Sequence, residues 1–182
     1  MLSQINIQNI VTIAKKAGEA IMQIYNQDFD IEYKQDKSPL TLADKQANNI
    51  IEDGLKNLSV RLPILSEEGK DIPYLERKNW EYFWLVDPLD GTKEFVKKNG
   101  EFTVNIALIH KDAPVLGLVY ALALDICYWA KKDEGAFKDG QQIPLKVEKK
   151  RDTYKIVVSR SHMSDETKVF IYNIDTNKKK KL

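Results

Sequence analysis

Asp87 and Asp90 lie in the segment Trp84-Leu-Val-Asp-Pro-Leu-Asp-Gly-Thr-Lys-Glu-Phe95, with Gly91 and Thr92 next in line. Carboxylates are hard oxygen donors, the kind that magnesium prefers. Gly91 lets backbone approach a ligand closely, and Thr92 can open a short helix whose N–H groups point at an anion. Together they suit metal-assisted chemistry on a phosphate. A second acidic pair, Glu67 and Glu68, follows Leu65-Ser66. Each acid also has a plainer reading: Asp suits turns, and a glutamate after a strand can be solvated rim. Their order, and the Gly91-Thr92 that follows, favour a joint metal-binding role.

Certain elements must position these groups. Ile7, Ile10, Val11, Ala14, Ala17, Ile21 and Ile24 recur at helical spacing and predict a helix from about Ser3 to Tyr25. A second helix is expected from about Leu42 to Leu58. Phe29, Ile31 and Tyr33 alternate with charged residues, as in a half-buried strand. Pro63–Ser66 reads as a short buried strand. Tyr82–Val86 reads as another, ended by Pro88, which cannot donate to a ladder. Further strands are expected at Thr103–Ile109, Val115–Tyr120, Ile126–Ala130 and Glu134–Lys138, with turn signals at Lys111–Pro114 and Asp139-Gly140. Short connections imply antiparallel pairing. Ile72–Asn79 is polar and irregular, and Glu148–Asp152 reads as a charged linker. Tyr154–Ser159 reads as one more strand, Ser164–Tyr172 as a weak helix, and Asn173–Leu182 as a polar, lysine-rich end.

The bulk numbers narrow the function classes. The chain has 182 residues with 28 basic and 27 acidic side chains. That balance leaves no basic footprint for nucleic acid as a partner. No stretch is long and apolar enough to span a membrane. The single cysteine, Cys127, excludes an intramolecular disulfide and suits a reducing compartment, so the expected location is cytoplasmic. Cys127 lies in an apolar run and reads as a core residue.

Three motifs in order, Ser38-Pro-Leu-Thr-Leu-Ala-Asp44, Leu65-Ser-Glu-Glu68 and Trp84–Phe95, resemble the signature of the inositol monophosphatase superfamily. The longer run to Ile109, with Gly-Thr-Lys-Glu-Phe and Lys-Lys-Asn-Gly-Glu-Phe-Thr-Val-Asn-Ile-Ala-Leu-Ile, is closer to its 3'(2'),5'-bisphosphate nucleotidases. The resemblance runs from about Ile7 to about Ser164. It implies an α+β fold, a layered α-β-α-β-α sandwich whose second half is largely missing here. Residues 1–147 would form an N-terminal metal- and phosphate-binding domain of two helices on an antiparallel sheet. Residues 148–182 would be the truncated start of an α/β domain with a disordered lysine-rich tail. The Gly-Ser-Ser-Leu-Lys and Trp-Asp-Thr-Ala-Ala motifs of the family do not occur in this sequence.

The resemblance also implies roles. Glu67, Asp87 and Asp90, with the backbone carbonyl of Leu89, would hold two or more magnesium ions, and lithium would inhibit. Glu68 would stand behind them. Asp44 would pair with the Thr92 hydroxyl to orient the attacking water, with Glu67 beside it. The plainer reading of Asp44 is a capping box with Thr41 at a helix start. Gly91 and Thr92 N–H groups would hold the phosphate. Ser159-Arg-Ser-His162 would line the nucleotide side, with Arg160, Ser161 and His162 as contacts. Its plainer reading is a polar loop with Ser161 or Ser164 as an N-cap. The implied reaction is magnesium-dependent hydrolysis of the 3'-phosphate of 3'-phosphoadenosine 5'-phosphate, a by-product of sulfate assimilation. Two other readings are an inositol or other small phosphate monoester phosphatase, and a non-catalytic remnant. The implied partner is a small-molecule nucleotide, with self-association through an exposed sheet edge.

Overall fold

The computed structural model describes residues 1–27, 39–143, 156–159 and 163–179, which fall into two compact units, Met1–Pro144 and Leu145–Leu182. The strand expected at Phe29–Tyr33 and the linker expected at Glu148–Asp152 lie outside the described residues.

The first unit opens with helix α1 (Ile7–Tyr25), after a 3-10 turn at Leu2–Gln4. Asn6 caps it by accepting the Gln8 N–H at 2.9 Å, which satisfies a donor the helix leaves free. Helix α2 spans Pro39–Lys56. It starts three residues before the Leu42 expected from sequence, because proline at a first helical position loses only an N–H that has no helical partner. Ile10, Ala14, Ala17 and Ile21 of α1 are buried with Ala43, Ala47, Ile51 and Leu55 of α2.

Both helices pack on one face of a seven-stranded sheet. Its strands are β1 (Ile64–Ser66), β2 (Tyr82–Asp90), β3 (Thr103–His110), β4 (Ala113–Ala121), β5 (Ile126–Lys131), β6 (Gly135–Lys138) and β7 (Gln141–Gln142). They lie side by side in sequence order. All pairs are antiparallel except β1 with β2, which is parallel. The sheet is thus largely antiparallel, with that one parallel pair. A parallel neighbour needs a crossover, and the segment between β1 and β2, with the short helix α3 (Tyr74–Arg77), supplies it. Asp139 and Gly140 form the two-residue turn into β7, both with positive φ, the conformation that a right-twisted hairpin favours.

The alternation along β3 shows which face carries the core. Val104, Ile106 and Leu108 are buried toward the helices, while Thr103, Asn105 and Ala107 are only half-buried on the other face. Leu85, Val119 and Tyr128 are substantially exposed. Cys127 is a buried core residue, and burial pushes its thiol up to about 11. A thiol held protonated at neutral pH is a poor nucleophile.

In the second unit Ile156–Ser159 has no regular structure, where the sequence suggested a strand. Helix α5 spans Asp165–Lys179 and so runs on past Asn173, where a disordered tail was expected. Ser164 accepts the Thr167 N–H at 3.3 Å, which is the N-cap contact foreseen for it. Among the described residues, no helix is long and apolar enough to cross a membrane.

The one-sided core predicts a contrast. Ile51→Ala should cost about 2–5 kcal/mol, because a fully buried branched side chain leaves a cavity. Leu85→Ala, on the opposite face, should cost less than about 1 kcal/mol. Urea denaturation of both variants checks this, and equal losses would contradict it.

Candidate active site

β2 continues through Pro88 to Asp90, where the sequence suggested that it stops at Val86. The reason is a bulge. Asp87 pairs with Asn105 and Asp90 with Thr103, so three steps on β2 match two on β3. Pro88 sits in this irregularity, where its missing N–H does little harm to the ladder. The extra residue also resets the alternation of faces. Asp90 returns to the side of the sheet that carries Asp87, and Asn105 donates to the Asp90 Oδ2 at 3.2 Å.

Glu67 reaches the same place from the end of β1. Its N–H donates to the Val86 carbonyl at 3.1 Å, which extends the pairing by one residue. Its carboxyl lies close to that of Asp87. Burial first, then the charges of Glu67 and Asp90, push the Asp87 carboxyl up to about 6. The Leu89 N–H, donating to it, pulls the other way. That contact is the turn-forming habit of aspartate, so the turn role and the cluster role coexist in one side chain. Asp87 Oδ1 is buried and has no hydrogen-bond partner among the described residues.

Asp44 projects from α2 and is 7% exposed. Burial is the main cause that pushes it up to about 7, followed by the charges of Glu68, Asp87 and Glu67. Thr41 lies inside the first turns of α2, not ahead of it. It is therefore not an N-cap, and the capping-box reading of Thr41 and Asp44 is corrected. Thr92 opens helix α4 (Thr92–Val96), which lies beside α2, so the two segments that carry Asp44 and Thr92 are neighbours.

Gly91 precedes α4 in the left-handed region, at φ +93. A Cβ there would stand 2.8 Å from the Glu101 carbonyl oxygen and 3.1 Å from Phe102 Cα. The close approach that requires glycine is therefore to the protein's own backbone. Ser161 and His162, like Arg160, lie outside the described residues.

Asn105 is a residue that sequence reasoning passed over. It accepts the Thr103 hydroxyl at 3.1 Å while it donates to Asp90. A polar residue at an alternate position of an otherwise apolar strand, opposite an acid, was the available signal.

The donor set suits a hard divalent cation: carboxylates of Glu67, Asp87 and Asp90, plus backbone oxygen. The unpartnered Asp87 oxygen and the raised carboxyls of Asp44 and Asp87 mark acids held close together among the described residues. Among the described residues, no three Asp, Glu, His or Cys side chains form a ready-made metal cage. A cleft of about 720 Å3 is lined by Ser66, Glu67, Asp87 and Asn105 together with Leu85 and Val119.

The inositol monophosphatase family model matches residues 3–181. The chain is 46% identical over 173 residues to the 3'(2'),5'-bisphosphate nucleotidase CysQ of Salmonella typhimurium, covering 92% of this chain and 69% of that protein. It is 42% identical to CysQ of Buchnera aphidicola, covering 97% of this chain and 67% of that one. Its structure matches the crystal structure of CysQ from Bacteroides thetaiotaomicron at a TM-score of 0.77 and 36% identity, over 93% of this chain and 68% of that one. Fold, acidic cluster and relatives agree on a phosphatase of the hydrolase class. The chain belongs to the inositol monophosphatase family.

Two outcomes are expected for the metal-free chain. Asp44 and Asp87 keep their protons to about pH 7 and 6 when folded, against an ordinary value of 3.8. A folded-state pKa above the unfolded one favours folding below the unfolded value and loses that advantage as pH rises through the folded value. Melting temperature should therefore fall between about pH 4 and 7, and a rise would show that these acids are not buried together. Gly91→Ala should cost about 2–4 kcal/mol, from left-handed strain plus overpacking, and denaturant titration reads that loss.

Proposed function

We propose that this chain hydrolyses the 3'-phosphate of 3'-phosphoadenosine 5'-phosphate, giving AMP and phosphate, with magnesium as its cofactor. The buried, unpartnered Asp87 oxygen within an acidic cluster carries the reading, because it calls for a cation. The nucleotide substrate is supported by the CysQ relatives.

Glu67, Asp87, Asp90 and the Leu89 carbonyl would hold two or more magnesium ions. When bound, magnesium lowers the pKa of water and offsets charge on phosphate oxygens. Asp44 and the Thr92 hydroxyl orient the attacking water, Asp44 as the proton acceptor. Gly91 and Thr92 N–H groups hold the phosphate at the start of α4. The water oxygen bonds to phosphorus as the bond from phosphorus to the ribose 3'-oxygen breaks. The departing oxygen takes a proton and leaves as the hydroxyl of AMP. Glu67 would also face the substrate phosphate, and the family resemblance implies that Ser161 and His162 serve the nucleotide.

The family assignment also supports a second reading, hydrolysis of inositol phosphate or another small monoester. A place in sulfur assimilation, lithium inhibition and a cytoplasmic setting accompany the nucleotide reading. The half-exposed Leu85, Val119 and Tyr128 support self-association of the sheet.

Phosphate release from 3'-phosphoadenosine 5'-phosphate by the 182-residue chain, with and without magnesium, tests the proposal. Release should require magnesium, and Asp87→Ala should lower it at least about 100-fold. Faster release from inositol phosphate would favour the second reading. No release from the folded chain on either substrate would leave a non-catalytic remnant.

A further inference from the structure

We propose that Asn48 is a positioning residue, which through Ser66 holds Glu67 where it meets Asp87. The inference rests on Glu67 being a magnesium ligand.

Asp44 and Asn48 are the buried polar side chains of the first unit's core among the described residues, and both are 7% exposed. They are one turn apart on α2 and so share a face of the helix. The rest of that inward face is apolar, with Ala43, Ala47 and Ile51. An amide in such a place costs desolvation unless both its ends are used. Both are. The Ser66 hydroxyl donates to Asn48 Oδ1 at 2.6 Å, and Asn48 Nδ2 donates to Glu52 Oε1 at 3.2 Å. Glu52 is held in turn by Lys56 at 2.6 Å. The amide is thus anchored along its own helix and grips one residue outside it.

That residue directly precedes Glu67. β1 is three residues long and, among the described residues, lies at the sheet edge and pairs only with β2. Its pairing stops at Ser66–Val86, and beyond it Glu67 keeps one backbone bond to Val86. A carboxylate at the end of so short an edge strand would otherwise swing with the chain after it. The Asn48–Ser66 link ties it to α2, the helix that carries Asp44. The spacing between the two acids is therefore set by one rigid element and one hydrogen bond. A tie serving only packing could use apolar groups at less cost.

Magnesium titrated into the full chain by calorimetry tests this, using Asn48→Ala, Ser66→Ala, the double variant, Ser66→Thr and Glu67→Ala. Melting temperatures without metal are measured beside it. Asn48→Ala and Ser66→Ala should each weaken magnesium binding about tenfold, the usual effect of losing a group that orients a ligand. The double variant should be no weaker than either single one, because both changes break one link. Ser66→Thr keeps the hydroxyl and should bind as the parent does. Unchanged affinity in the folded Ser66→Ala chain would overturn the inference, as would additive losses or a Ser66→Thr chain as weak as Ser66→Ala. Ser66→Ala is the mildest change and decides the matter if Asn48→Ala does not fold. If Glu67→Ala binds magnesium as tightly as the parent, the magnesium reading of Glu67 is what fails, and this inference falls with it.

Discussion

One extra residue in β2, between Asp87 and Asp90, is the constraint from which the rest of the site follows. In a regular strand these positions would face opposite sides of the sheet, because side chains alternate with a period of two. The bulge adds one step, and both acids turn to the face that also carries Asn105. It also gives Pro88 a place in the strand. Gly91, left-handed and pressed on the backbone of Glu101 and Phe102, then turns the chain into α4 at once.

Gathering acids has an electrostatic cost that the rest of the unit must bear. Asp44 and Asp87 are each pushed above the ordinary range, first by burial and then by neighbouring carboxylates. Surrounding elements hold them there. Trp84 and Val86 are buried in the core just before Asp87, and Phe95 of α4 and Phe102 beyond it are buried too. The aromatic rings of Tyr25, Phe95 and Phe102 meet in tilted and edge-on contacts, which pin α4 to the end of α1. A well-packed apolar core beneath is what lets a strained charge arrangement persist above it.

Much of this was legible in the sequence, for reasons that differ by element. The helical stripe of α1 and the alternation of β3 and β4 are periodic signals, and periodicity reports burial on one face. The order of the acidic motifs was legible through their chemistry. The bulge was not, because Pro88 read alone as a strand end. The capping reading of Thr41 failed because the helix begins at Pro39, and boundaries depend on caps more than on stripes. Asn48 was invisible as a functional residue because a lone asparagine on a helix has no spacing signature, and Asn105 showed only as a polar residue at an alternate position of β3. Their roles depend on what faces them: Ser66 across α2 and β1, Asp90 across β2 and β3.

The parallel edge strand has a consequence for how the site opens. β1 is three residues long, and its few hydrogen bonds let it peel away without the sheet behind it. The acids of β2 sit on a nine-residue strand that is paired on both sides. Glu67 follows the short one. In hydrogen exchange, the amides around Ser66 and Glu67 would then open by a smaller excursion than those of β3, with the acidic cluster coming apart long before the sheet does.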